Sequence, residues 1–105
     1  MDPTLKLLRD LVAIDSRNPS LVPGAPGEGE IAGAIAREMR GSGLDVKVQI
    51  VVEGRPNVVG VLEGRKSGRS MMFCGHTDTV GVEGMAAPFD PVERDGCLYG
   101  ADRRT

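Results

Sequence analysis

The sequence has 105 residues, with 13 Lys and Arg against 15 Asp and Glu, a formal charge of -2 and a pI near 5.3. That length supports one modest core, either a single domain or part of one, and the lack of a basic field argues against nucleic acid as a partner. Aromatics make up 3% with no Trp, so burial must rest on Val, Leu, Ile, Met and Ala, which suits helix-on-sheet layers.

Asp2-Pro3 reads as an N-cap followed by proline at the first helical position. Leu5, Leu8, Leu11 and Val12 recur at helical spacing, so residues 3–14 are expected to form an amphipathic helix whose apolar stripe is core. Asn18-Pro19 ends it, because the residue before proline is pushed out of the helical region. A Pro- and Gly-rich loop through Pro23, Gly24, Pro26 and Gly27 follows, open to two readings: a functional loop or a plain surface connection. Glu28 and Glu30 favour a second helix start, Ile31, Ile35 and Met39 mark its face, and Gly41 and Gly43 end it. The small residues Ala32, Gly33, Ala34 and Ala36 point to close packing on a sheet.

Leu44, Val46, Val48, Ile50 and Val52 alternate with Asp45, Lys47 and Gln49, the period of a strand with one wet face. Asn57-Val58-Val59-Gly60-Val61-Leu62 is apolar throughout and should lie more centrally. Met71-Met72-Phe73-Cys74 reads as a third, doubly covered strand. Near the end, Val92-Glu93 and Cys97-Leu98-Tyr99 flank Arg94-Asp95-Gly96, and Asp-Gly is a strong hairpin signal.

The two cysteines show no Cys-x-x-Cys spacing, which argues against a structural zinc site or redox pair, and Cys74 is expected to be a small buried hydrophobe. No run nears the ~20 apolar residues that span a bilayer, and no basic leader precedes an apolar run. The expectation is a cytoplasmic protein with no membrane partner.

The third apolar run leads into Gly75-His76-Thr77-Asp78-Thr79-Val80, which carries the only histidine. At the C-terminal mouth of a strand, His76 would meet a crevice of the kind in which open α/β sheets hold ligands. On an extended backbone, residues two apart share a side, so His76 and Asp78 can face one site. Imidazole is a common metal ligand and a carboxylate can orient it. The alternative is a hydrogen-bonded His-Asp pair on the surface with no further role.

With its flanks, apolar-apolar-Cys74-Gly75-His76-Thr77-Asp78-Thr79-Val80 closely resembles the first signature of the zinc-dependent exopeptidases and deacylases. That family includes acetylornithine deacetylase, succinyl-diaminopimelate desuccinylase, aminoacylase and glutamate carboxypeptidase. Pro88-Phe89-Asp90, the hairpin and Leu98-Tyr99-Gly100 resemble it as well. The resemblance implies an α/β fold: a partial three-layer zinc-exopeptidase-like catalytic domain, with residues 1–105 as the N-terminal part of one metallohydrolase domain truncated after about residue 100. It implies two zinc or cobalt ions in the intact site, with His76 as a metal ligand and Asp78 as the catalytic-site residue that supports a carboxylate. Its substrates would be N-acyl amino acids or small peptides.

The resemblance breaks at the end. The family continues from Leu-Tyr-Gly into Arg-Gly and then Asp-Met-Lys-Gly, whose aspartate bridges the metals, whereas this sequence reads Gly100-Ala101-Asp102-Arg103-Arg104-Thr105. Asp102 is either that metal ligand displaced or an unrelated residue of an altered terminus. The remaining carboxylates and the second histidine of the family's site have no counterpart here, so the chain alone is expected to be inactive and to bind metal weakly or not at all. Two further readings stand beside this one: a non-catalytic truncated product, and an α/β binding module with a structural His76–Asp78 pair. A sheet left without its neighbours would also expose an apolar face or edge and invite self-association.

Overall fold

A computed structural model describes residues 2–100. Helix α1 spans Pro3–Val12, and its start follows the local chemistry: the Asp2 carboxylate accepts from the Thr4 backbone N–H at 2.8 Å, with proline in the first turn. It stops short of the expected residue 14, and no residue of it is fully buried. The expected core stripe therefore lies along an open cleft instead. Helix α2 spans Gly29–Gly41, and Gly43 beyond it takes the left-handed conformation at φ +90°. Ile31, Ala32 and Ala36 of α2 are the buried apolar residues among those described.

Strands β1 (Asp45–Val52) and β2 (Arg55–Val61) form an antiparallel hairpin that packs against α2. Ala32 and Ala36 supply the closeness expected of small residues, whereas Gly33 faces open space apart from Arg37. At Gly60 the approach is tighter: a Cβ there would lie 2.7 Å from Met39 Sδ and 2.8 Å from Leu44 Cδ2. Strand β2 is the edge of a two-stranded sheet rather than a central strand. Val48, Ile50 and Val52, expected on a covered face of β1, are exposed, because no layer reaches the distal half of the hairpin.

Strands β3 (Val92–Arg94) and β4 (Cys97–Tyr99) make the second hairpin. Its Asp95-Gly96 turn has positive φ at both residues, +53° and +77°, as the Asp-Gly signal required. The Arg94 guanidinium lies 4.9 Å above the centre of the Tyr99 ring.

The apolar run before His76 departs from expectation. Residues 71–74 form no strand, and Met71, Met72 and Phe73 are 81%, 85% and 90% exposed. Cys74, expected to be buried, is exposed as well. A strand needs a neighbour to satisfy its backbone, and among the described residues no edge pairs with this run. Among the described residues the architecture is thus a small mixed α/β unit of two helices and two hairpins, and the expected third strand at 71–74 does not form.

Candidate functional site

His76 leaves the exposed run on an extended backbone, and what holds it comes from the opposite end of the chain. Residues 16–18 and 77–79 run side by side in parallel. The Thr79 N–H donates to the Ser16 carbonyl at 3.0 Å, the Asn18 N–H donates to the Thr79 carbonyl at 2.9 Å, and Arg17 forms a parallel bridge with Thr79. Ser16, only 1% exposed, donates its hydroxyl to the Thr77 carbonyl at 2.7 Å. Thr79 Oγ1 is buried in this clasp without a hydrogen-bond partner among the described residues.

Within the clasp, His76 Nδ1 lies 3.0 Å from Asp78 Oδ1 and 3.1 Å from the Asp78 carbonyl oxygen. Both neighbours of Nδ1 are acceptors, so the proton of a neutral ring sits on Nδ1 and Nε2 carries the free lone pair. The His76 side chain is 79% exposed. The expected convergence of His76 and Asp78 is present, although it arises from a loop rather than from a strand mouth.

Asp78 Oδ2 accepts from Asn18 Nδ2 at 2.8 Å. The Asn18 amide, foremost, and then the His76 ring hold the Asp78 carboxyl below the ordinary carboxylate range, against the opposing effect of burial. Asn18 is itself fixed: its Oδ1 accepts from the Ser20 N–H at 2.8 Å, which makes an Asx turn and sets which end of the amide faces Asp78. Next to it, Arg17 grips Asp15 through two bonds of 2.8 Å, and this pairing lowers the Asp15 pKa.

The loop after α1 is fastened at its far end too. Gly27 donates to the Arg17 carbonyl, and its φ of +77° brings it so close to the β1–β2 turn that a Cβ would lie 2.6 Å from the Gly54 oxygen. Glu28, expected only to oppose the helix dipole, is a buried partner of Arg55, with contacts of 2.8 to 3.2 Å. Arg55 Nη1 continues to the Ser20 hydroxyl at 3.2 Å. An unbroken polar chain therefore runs from His76 through Asp78, Asn18, Ser20 and Arg55 to Glu28. The loop is thus fastened along its length rather than free at the surface.

Beside the site lies an apolar cleft of about 600 Å³ lined by Leu8, Leu11, Ile31, Ile35 and Leu98 together with His76 and Asp78. Asp102 lies outside the described residues. Among the described residues no three His, Cys, Asp or Glu side chains gather to hold an ion, and the Nε2 of His76 is the single imidazole donor atom that the site offers. No described helix is long and apolar enough to cross a membrane.

The sequence matches no family model, and no solved structure matches it. Three curated proteins do match. It is 41% identical to the succinyl-diaminopimelate desuccinylase of Gluconacetobacter diazotrophicus over 93% of this chain and 25% of that protein. It is 32% identical to the acetylornithine deacetylase of Photorhabdus laumondii over 95% of this chain and 27% of that protein. A second succinyl-diaminopimelate desuccinylase, from Polynucleobacter necessarius, is 32% identical over 100% of this chain and 29% of that protein. The chain thus spans between a quarter and a third of the length of the relatives it matches. With this similarity running along nearly all of its residues, the chain belongs to the family of succinyl-diaminopimelate desuccinylase and acetylornithine deacetylase, and matches that family's N-terminal segment.

Proposed function

We propose that this chain carries the first metal-ligand corner of a zinc-exopeptidase-like hydrolase that cleaves the amide bond of N-acyl amino acids or small peptides. The observation that carries the reading is the His76–Asp78 contact at 3.0 Å, which protonates Nδ1 and leaves Nε2 as a bare lone pair on an exposed ring. The names of the relatives, a desuccinylase and a deacetylase, supply the acyl-amino-acid substrate class. In the complete centre a pair of zinc or cobalt ions would supply an activated water and polarise the amide carbonyl. His76 would hold one ion, and Asp78 would orient the ring and support the catalytic carboxylate.

A catalytic zinc takes about three protein ligands and leaves a position for water. The chain by itself supplies one described ligand, so the reading makes it inactive alone and gives it weak metal affinity. Calorimetric titration with zinc at neutral pH should show no stoichiometric tight site. N-succinyl and N-acetyl amino acids should not be hydrolysed with added zinc or cobalt, and the weak signal should fall in His76→Ala. A tight one-to-one site, or turnover lost in His76→Ala, would show that the chain assembles a working centre unaided. An imidazole that ignores zinc altogether would favour the other reading, a His76–Asp78 pair of purely structural role.

A further inference from the structure

Resting on the reading of His76 as a metal ligand, we propose that Asn18 is a positioning residue for that ligand, fixing the Asp78 carboxylate so that the carboxylate holds the His76 ring with Nε2 bare. The argument is geometric. A carboxylate bonded only to His76 could rotate about its own bonds and offer the ring either oxygen or none. Here its second oxygen is taken by Asn18 Nδ2 at 2.8 Å, which leaves Oδ1 for Nδ1 at 3.0 Å.

The Asn18 donor is itself held on three sides. Its Oδ1 is occupied by the Ser20 N–H, its backbone N–H by the Thr79 carbonyl, and its own carbonyl accepts from the N–H groups of Leu21 and Val22. An amide locked in this way cannot flip to present oxygen to the carboxylate, so the donor end always faces Asp78. Such outer-shell partners tune a ligand's orientation and basicity. The Asn18 amide bonds to Asp78 and Ser20 rather than to the ring, so its effect passes through Asp78.

The test uses the fact that the chain has one histidine, so its imidazole nitrogen resonances need no assignment among rivals. In the 105-residue chain at mildly alkaline pH, where imidazoles are neutral, nitrogen NMR should show His76 mainly as the Nδ1–H tautomer, the reverse of a free imidazole. In Asn18→Ala, and in the isosteric Asn18→Asp, which keeps an acceptor for Ser20 but loses the amide donor, the tautomer ratio should move about tenfold toward Nε2–H, as loss of one charge-assisted hydrogen bond implies. Slow exchange of the Thr79 amide in the variants would show that the clasp is intact, a readout that a merely structural role for Asn18 would not leave in place.

A wild-type ring found as Nε2–H overturns the proposal before any variant is made. An unchanged tautomer ratio in folded Asn18→Asp overturns it as well, while the hydrolase reading stands. Zinc separates the two claims: a tautomer that obeys Asn18 in a ring that does not respond to zinc removes the metal-ligand premise and with it the purpose assigned to Asn18.

Discussion

The hydroxyl of Ser16 donates to the carbonyl of Thr77 at 2.7 Å, and through that bond the loop behind the first helix takes hold of the segment that presents His76. The buried hydroxyl is satisfied, whereas its neighbour across the clasp, Thr79 Oγ1, is not. The two positions should therefore respond in opposite ways. Ser16→Ala strands the Thr77 carbonyl and should cost about 1 kcal/mol in urea unfolding, whereas Thr79→Val, which removes an unpaired buried oxygen at constant shape, should cost nothing or stabilise. Equal losses at both sites would mean that Thr79 has a partner after all.

The pairing of Glu28 with Arg55 gives a second expectation. The Glu28 side chain is 7% exposed, so Arg55→Ala would leave a buried carboxylate uncompensated and should lower the denaturant midpoint. Combining it with Glu28→Leu should recover most of that loss, because the orphaned charge is then gone. A denaturant midpoint that hardly moves in Arg55→Ala would show the carboxylate to be solvated.

Acid should loosen the clasp. Asp78 and Asp15 both titrate below their ordinary value of 3.8 in the folded chain, so the unfolded chain binds more protons in the window between the folded values and 3.8. Their contribution is complete above that window and is lost as pH falls through the folded values. Unfolding free energy plotted against pH should drop there, and Asp78→Asn should flatten the drop. A wild-type curve with no slope below the ordinary carboxylate pKa would contradict the Asn18 and Arg17 contacts.

Exposure of Met71, Met72 and Phe73 bears on how the chain behaves in concentrated solution. Apolar side chains this bare, in a chain that also has open two-stranded sheet edges, favour association between copies. Sedimentation velocity should show concentration-dependent species that recede in Met71→Ser/Phe73→Asn. A monodisperse monomer at high concentration would argue that the run is covered in solution.

Local signals read correctly in the sequence are those whose physics is local. The Asp2 cap, the left-handed Gly43 after α2, the strand of β1 (though not its covered face) and the Asp95-Gly96 turn each depend on neighbours a few residues away. The run 71–74 misled because apolarity reports a wish to be covered and says nothing about whether a neighbouring strand exists. The contacts of Asn18 and Ser16 with the histidine segment escaped notice for the converse reason. Both sit in an aperiodic loop, and their partners lie 60 and 61 residues along the chain. Glu28 was legible as a helix-start residue, but its ion pair depends on where the β1–β2 turn comes to rest.

That separation has a kinetic side. Each hairpin closes over two residues, an event of microseconds, and α2 docks on the strands that directly follow it. The Ser16–Thr77 bond instead closes a loop of 61 residues, which costs roughly 3–4 kcal/mol in chain entropy before any contact within it is rewarded. Joining of the two segments therefore comes late, after the local pieces have formed, and mutations in it should speed unfolding while scarcely slowing folding. The segment that presents the histidine should thus settle after the local pieces and loosen before them, which makes its resonances a sentinel for incipient unfolding.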